Sequence, residues 1–215
     1  MSLQEPSMSH VATWRRPLAA PAIAFGVVVL AIGMVVVRNG NVPAWERSIF
    51  HAINDLPNVL YRPLWPFQQL GALAVGPVVA IVAAVLRRFR LAIAVLVATV
   101  AKLASERVVK SMVSRQRPGT SIGPDVHLRG DVTATGESFV SGHAVLIAAI
   151  AGLVTAYLPG RWKIVPWIVV GLVMVTRVYV GAHNPLDVVC GAGLGLAIAG
   201  ALNLVLGARA TEARR

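Results

Sequence analysis

Apolar residues run along this chain in blocks of about membrane thickness rather than alternating with polar ones. Leu18 to Val37 is an uncharged stretch of 20 residues, and Leu64 to Leu86, Ser138 to Gly160 and Val188 to Ala208 are three more long apolar blocks. A helix that crosses the hydrocarbon core needs about 20 mostly apolar residues, so each block predicts a span. Pro63 and Pro66 are unfavourable inside a helix and set the start of the second span near Leu70. Two weaker blocks carry charges: Leu91 to Val109 contains Lys102, Glu106 and Arg107, and Ile164 to Val180 contains Arg177. Both must cross if the strong spans are to connect. The pattern predicts an all-α fold, a six-transmembrane-helix bundle over residues 18–208 between short tails, 1–17 and 209–215. The first block exceeds the ~7–15 residues of a cleavable signal core and runs into Arg38, so it is read as a retained span.

One further segment has helical periodicity without membrane length. Between Ala44 and Leu56, Trp45, Ile49, Ile53 and Leu56 share one face, with Glu46, Arg47, Asn54 and Asp55 elsewhere. This is an amphipathic helix, lying in the outer membrane interface or packed on the bundle surface.

Composition narrows the class. The chain is 56% hydrophobic and 13% charged, against about 25% charged residues in soluble domains. That excludes an ordinary soluble protein and a disordered one. The single cysteine, Cys190, excludes an intramolecular disulfide. In a soluble chain the net charge of +11 would suggest nucleic acid. Here the basic residues flank apolar blocks or sit in short clusters, which points to membrane topology and a phosphate ligand, with no nucleic acid. Arg15, Arg16, Arg87, Arg88, Arg90, Arg161, Lys163, Arg209, Arg214 and Arg215 fall on one side and the other ten basic residues on the opposite side, so the count ties, but the first ten lie in short connections beside the spans. Basic short loops stay cytoplasmic. The expected topology has both termini in the cytoplasm and the long connections, 38–62 and 110–137, facing outward. No signal of oligomeric state is present.

An ionisable residue within a span costs about 2.5–3.5 kcal/mol and needs a reason. The chemically interesting residues cluster at three helix ends on the outward side. Lys110 and Arg117-Pro118 leave the third span, Ser141-Gly142-His143 open the fourth, and Arg177, His183 and Asp187 surround the turn between the fifth and sixth. Lys and Arg supply charge and donors for phosphate. A helix N-terminus offers free N–H groups to an anion, Gly142 permits close backbone approach, and Ser141 can cap or donate. His143 and His183 can exchange protons near neutral pH. Asp187 can bond one nitrogen of His183 and fix its tautomer. Glu106, four residues from Lys102 and Lys110, is a charge partner that positions Lys110. The 111–137 connection is long enough to serve as a lid or a substrate contact.

These residues resemble the three-part signature of the type 2 phosphatidic acid phosphatase superfamily. The first part is Lys, six residues, Arg-Pro, met by Lys110 and Arg117-Pro118. The second is Pro-Ser-Gly-His, met from Ser141 onward with Val140 in place of proline. The third is Ser-Arg, five residues, His, three residues, Asp, met by Arg177, His183 and Asp187 with Thr176 in place of serine. The resemblance implies that His183 attacks phosphorus to give a phosphohistidine, that Asp187 orients it, and that His143 protonates the leaving oxygen. It implies that Lys110, Arg117, Ser141, Gly142 and Arg177 hold the phosphoryl oxygens, and that no metal or other cofactor is required. The implied substrate is a lipid phosphate or diphosphate in the bilayer. A polyprenyl diphosphate of the cell envelope is favoured, with phosphatidic acid or phosphatidylglycerol phosphate next. The implied location is a bacterial plasma membrane with the active site extracytoplasmic. The same cluster could instead bind or transport an anion without chemistry, although the polar residues sit at one face and no internal repeat is visible. Vanadium haloperoxidases share the constellation, but they are soluble.

Overall fold

The computed structural model describes residues 16–206. His10, Arg15, Arg209, Arg214 and Arg215, and with them the expectations for the two tails, lie outside the described residues. Regular structure within that range is helical, apart from one isolated antiparallel bridge between Gln116 and Glu137. The helices are α1 (Arg16–Val37), α2 (Ala44–Asn54), α3 (Tyr61–Leu70), α4 (Val75–Val85), α5 (Phe89–Met112), the one-turn α6 (Pro118–Ser121), α7 (Gly142–Val154), α8 (Val165–Tyr179) and α9 (Pro185–Leu206). In an apolar medium a helix satisfies its backbone internally, which is why the Ala-, Val- and Leu-rich blocks fold this way.

α9 is the centre of the bundle, packed on α1 and on α7, while α7 also meets α5 and α8. Almost every residue of α7 is buried. α4 and α5 instead present Val78, Ile81, Val85, Ile93, Leu96 and Val100 outward. An apolar exterior around a small-residue core is the arrangement expected of a bundle solvated by lipid.

Three helical segments are long and apolar enough to cross a membrane, Leu18–Val37, Gly160–Tyr179 and Pro185–Leu206; a fourth span results if Asn58–Leu70 and Val75–Val85, bent by 65°, count as one. α5 has the length, but Arg90, Lys102, Glu106, Arg107 and Lys110 interrupt its apolar character. α7 with its following turn, Gly142–Tyr157, is shorter.

One local expectation is corrected, and a second gains detail. Pro63 and Pro66 do not delay the second block: both lie inside α3, and the chain breaks later, between Leu70 and Val75. Pro63 falls in the first turn, where its missing N–H costs nothing. The amphipathic helix exists as α2, but its inward face is Glu46, Phe50 and Asn54, while Trp45, Ile49 and Leu56 are exposed. Polar side chains point into the protein because they have partners there.

Those partners tie down the long connection between α6 and α7. The Asn54 amide donates to the carbonyls of His127 and Tyr179, both at 2.9 Å, and Asn54 Oδ1 accepts the His127 N–H at 2.8 Å. Arg129 is buried and donates to the carbonyls of Asn54 (2.8 Å), Tyr179 (2.6 Å) and Leu56 (2.9 Å) and to Asn58 Oδ1 (2.8 Å). Its guanidinium also lies 4.1 Å from the centre of the Tyr179 ring. The loop is thus a fixed wall pinned to α2 and α8. His127 is exposed on it, 3.9 Å from Asp55.

Candidate active site

Backbone hydrogen bonds draw the three clusters together. Arg117 N–H donates to Gly136 O at 3.0 Å and Ser138 N–H donates to Arg115 O at 2.7 Å, so the segment after α5 lies beside the one that leads into α7. Ser141 N–H donates to Asp187 O at 3.0 Å, joining the start of α7 to the first turn of α9. At the end of α8, the N–H groups of Ala182 and His183 both donate to Arg177 O, at 3.1 and 3.3 Å.

His183 sits in the turn between α8 and α9 with Nδ1 3.0 Å from Ser138 O. A carbonyl only accepts, so Nδ1 carries the proton and Nε2 keeps a lone pair. Asp187 does not make this bond: Oδ2 is 3.7 Å from Nδ1. It accepts instead from the Ser138 hydroxyl, from Asn184 N–H at 2.7 Å and from Arg115 Nη1 at 2.7 Å. Asp187 therefore orients the imidazole through Ser138, whose hydroxyl it holds and whose carbonyl holds the ring. Burial pushes the His183 pKa down to about 4 against the opposing pull of Asp187, with Arg177 and Arg117 adding to the depression. The ring is neutral at pH 7.

Arg115 and Glu46 are absent from the expected site, yet both are fully buried beside it. Arg115 Nη1 bridges Asp187 and Glu46 Oε1 (3.1 Å), Nη2 donates to Glu46 Oε2, and Glu46 Oε1 also accepts Leu186 N–H at 2.8 Å. Burial alone would lower the Arg115 pKa, but the Asp187 and Glu46 carboxylates hold it above its ordinary value. The available sequence signals were the inward slot of Glu46 on α2 and a second arginine two residues before Arg117.

Around the histidines lies a set of donors without protein partners. Ser141 Oγ, Arg117 Nε and Arg177 Nε are buried and bond to nothing. Ser141 occupies the N-cap of α7 but makes no side-chain cap, so its hydroxyl and the helix's own N–H groups remain available to an anion. Thr176 does not join them, because its hydroxyl donates to Leu172 O at 2.7 Å within α8. Val140, in place of the proline, is fully buried. Lys110 is held by Glu106 Oε1 at 2.8 Å, and Glu106 Oε2 meets Lys102 at 2.6 Å.

His143, on the first turn of α7, is largely withdrawn from solvent and lies among the charges of Arg177, Lys102 and Arg117. Space on either side of it is reserved by glycine. A Cβ on Gly142 would stand 2.4 Å from Glu106 Oε2 and 2.7 Å from Lys102 Nζ; one on Gly71, at the break between α3 and α4, would stand 2.6 Å from His143 Cβ. The predicted site residues thus converge at neighbouring helix ends. Among the described residues, no three His, Cys, Asp or Glu side chains form a group that could hold a metal ion.

Comparison with known proteins bears on the same region. The family model of the PAP2 superfamily matches residues 89–210, from α5 to beyond α9. An undecaprenyl-diphosphatase from Sulfolobus acidocaldarius is 32% identical over 121 residues, which are 55% of this chain and 57% of that relative's length. The crystal structure of Aquifex aeolicus LpxE superimposes with a TM-score of 0.64 at 26% identity, covering 76% of this chain and 96% of that one. A PAP2-type phosphatidylglycerolphosphate phosphatase from Bacillus subtilis superimposes with a TM-score of 0.60 over 86% of this chain and 94% of that one; at 17% identity it bears on the fold alone.

Proposed function

The chain belongs to the PAP2 superfamily, and from that premise we propose that it is a metal-independent phosphatase of lipid phosphates or diphosphates working through a phosphohistidine on His183. The observation that carries this reading is the 3.0 Å approach of His183 Nδ1 to Ser138 O, which leaves Nε2 as a neutral nucleophile. In the first step Nε2 forms a bond to phosphorus. The bond from phosphorus to the leaving oxygen breaks, and that oxygen keeps the electron pair and takes a proton from His143. In the second step water attacks phosphorus, its proton passes to His143, and the N–P pair returns to Nε2. The products are orthophosphate and a lipid alcohol, or a lipid monophosphate when the substrate is a diphosphate. Ser141, Arg117, Arg177, Lys110 and the N–H groups around Gly142 hold the transferred oxygens, where charge grows in the transition state. The donor set supplies the charge that a metal would otherwise provide.

The same reading takes the bundle as six spans: α7 crosses despite its shortness because neighbouring helices cover it, and α5 crosses with Ile93, Leu96 and Val100 toward lipid and Glu106 paired with Lys102 and Lys110. α2 lies in the outer interface with Trp45 and Ile49 toward lipid. The histidines face away from the cytoplasm, in a plasma membrane of bacterial type. A polyprenyl diphosphate is the favoured substrate, supported by the likeness to the Sulfolobus undecaprenyl-diphosphatase. The test uses purified full-length protein in detergent with a labelled prenyl diphosphate. Rapid quenching should trap an acid-labile phosphohistidine in the native chain and none in His183→Ala, which should also lose turnover. A fully active His183→Ala protein overturns the reading.

A further inference from the structure

Lys102 is a cation to which the mechanism above gives no task. It lies two turns before Lys110 on α5, about 12 Å deeper along the helix axis. Its side chain is only 13% exposed. Glu106 meets Lys102 at 2.6 Å and Lys110 at 2.8 Å, so one carboxylate serves two ammonium groups and one positive charge is left over. Lys110 alone would satisfy Glu106. A second cation within an apolar helix is costly, and such a residue marks a ligand or charge pathway.

The position of Lys102 indicates what the surplus charge is for. Its Cε and Nζ, together with Glu106 Oε2, fill the space a side chain at Gly142 would occupy. Gly142 is flanked by Ser141, which faces the transferred phosphoryl group, and by His143, which protonates the leaving oxygen. Lys102 therefore lies at the leaving-group side of the site, toward the membrane interior where the lipid tail must run. When a monophosphate reacts, the departing group is an alcohol oxygen, and its one new charge is quenched by the proton from His143. When a diphosphate reacts, the departing group is itself a phosphate. It already carries charge and gains more as the bridging P–O bond breaks, and a fixed ammonium beside it favours that step.

Resting on the phosphatase reading, we infer that Lys102 binds the second phosphoryl group of a lipid diphosphate and sets a preference for diphosphate over monophosphate substrates. The Nε2–P bond forms, the bridging oxygen keeps the electron pair and takes the proton of His143, and Lys102 holds the phosphate that leaves with the lipid.

The test compares farnesyl diphosphate with farnesyl phosphate, which share one tail, as substrates of the purified full chain. Lys102→Met should lower kcat/KM for the diphosphate at least tenfold more than for the monophosphate, and Lys102→Arg should recover most of the difference. Lys102→Met also frees Glu106 to bind Lys110 alone, so the Lys102→Met, Glu106→Gln double variant is measured alongside and should show the same selective loss. An equal fall on both substrates in both variants would overturn the inference and leave Lys102 as a counter-charge for Glu106. Calorimetric titration with inorganic pyrophosphate and orthophosphate separates the two readings. A native chain that turns over neither lipid sinks the phosphatase reading. A native preference for pyrophosphate that falls tenfold or more in Lys102→Met still supports the inference, and an unchanged preference overturns it.

Discussion

Arg115→Met should be among the most damaging single changes in the protein, and its effect should be partly reversed by a second substitution. The native guanidinium, fully buried, donates to Asp187 at 2.7 Å and to both oxygens of Glu46. Methionine fills the space and offers no donor. Asp187 then keeps the Ser138 hydroxyl and the Asn184 N–H, whereas Glu46 keeps only the Leu186 N–H at 2.8 Å. Removing one partner from a buried ion network costs about 3–5 kcal/mol, because charges remain without compensation. Most of that cost should sit on Glu46, the less supported carboxylate. Glu46→Gln in the native background removes one side of a satisfied pair and should cost about 1–3 kcal/mol. In the Arg115→Met background the same change neutralises the stranded charge and should restore about 1–2 kcal/mol. The sign of one substitution thus depends on the other. Reversible unfolding in mixed micelles, followed by tryptophan fluorescence, reads all four corners of the cycle. Equal destabilisation by Glu46→Gln in both backgrounds, or an Arg115→Met protein within 1 kcal/mol of native (about the scatter of such measurements), would refute the reasoning.

Gly71→Ala should lower kcat roughly 100-fold with little change in folding, since its Cβ would stand 2.6 Å from His143 Cβ and displace the acid by about 1 Å; unchanged kcat would mean that the α3–α4 break yields instead. The acid limb of kcat/KM for the free enzyme should fall near pH 4, not 6.5, because burial lowers the His183 pKa to about 4 and the neutral ring is the nucleophile. The same depression makes stability fall with acid. The unfolded chain binds the His183 proton near pH 6.5, and the native chain only near 4. The contribution is therefore full above pH 6.5 and is lost as pH drops toward 4, by roughly 3 kcal/mol; a stability curve flat across that window in all but carboxylate effects, and identical in His183→Gln, would contradict it. Finally, with Cys190 changed to Ala, a cysteine at Asp125 should react with a membrane-impermeant thiol reagent in intact cells, and one at Lys163 only after permeabilisation. The reverse pattern would invert the membrane orientation without touching the chemistry.

The residues gathered at the candidate site were legible in the sequence as candidates because their types and spacings are local: Lys110 and Arg117 on one connection, Ser141 to His143 at one helix start, Arg177 to Asp187 around one turn. What was not legible depends on distant pairing. Hydrophobic periodicity identified α2 and its apolar face, but nothing local marked Glu46 as buried, because its partner Arg115 lies 69 residues away. The direct bond expected between His183 and Asp187 follows from their four-residue spacing, yet Ser138 comes between them from another segment. Pro63 and Pro66 misled because their cost depends on position within a helix, which composition does not give. The helices α5 and α7 show the limit of hydropathy: α7 is short but covered by its neighbours, and α5 has the length and an exposed apolar face but carries charges that lower its hydropathy.

The order in which the ribosome releases the chain gives the Arg115 network another meaning. Glu46 emerges early, Arg115 follows 69 residues later, and Asp187 comes 72 residues after that. At ordinary rates of synthesis Glu46 waits on the order of ten seconds for the last of its partners. Until α9 arrives, the carboxylate on α2 and the guanidinium after α5 have only each other, and His183 does not yet exist to be oriented. A chain stalled or cut before α9 therefore carries an incomplete charge cluster beside a membrane. Completion of the last helix both closes the bundle and brings Asp187 to the Ser138 hydroxyl, whose residue holds the His183 ring through its carbonyl.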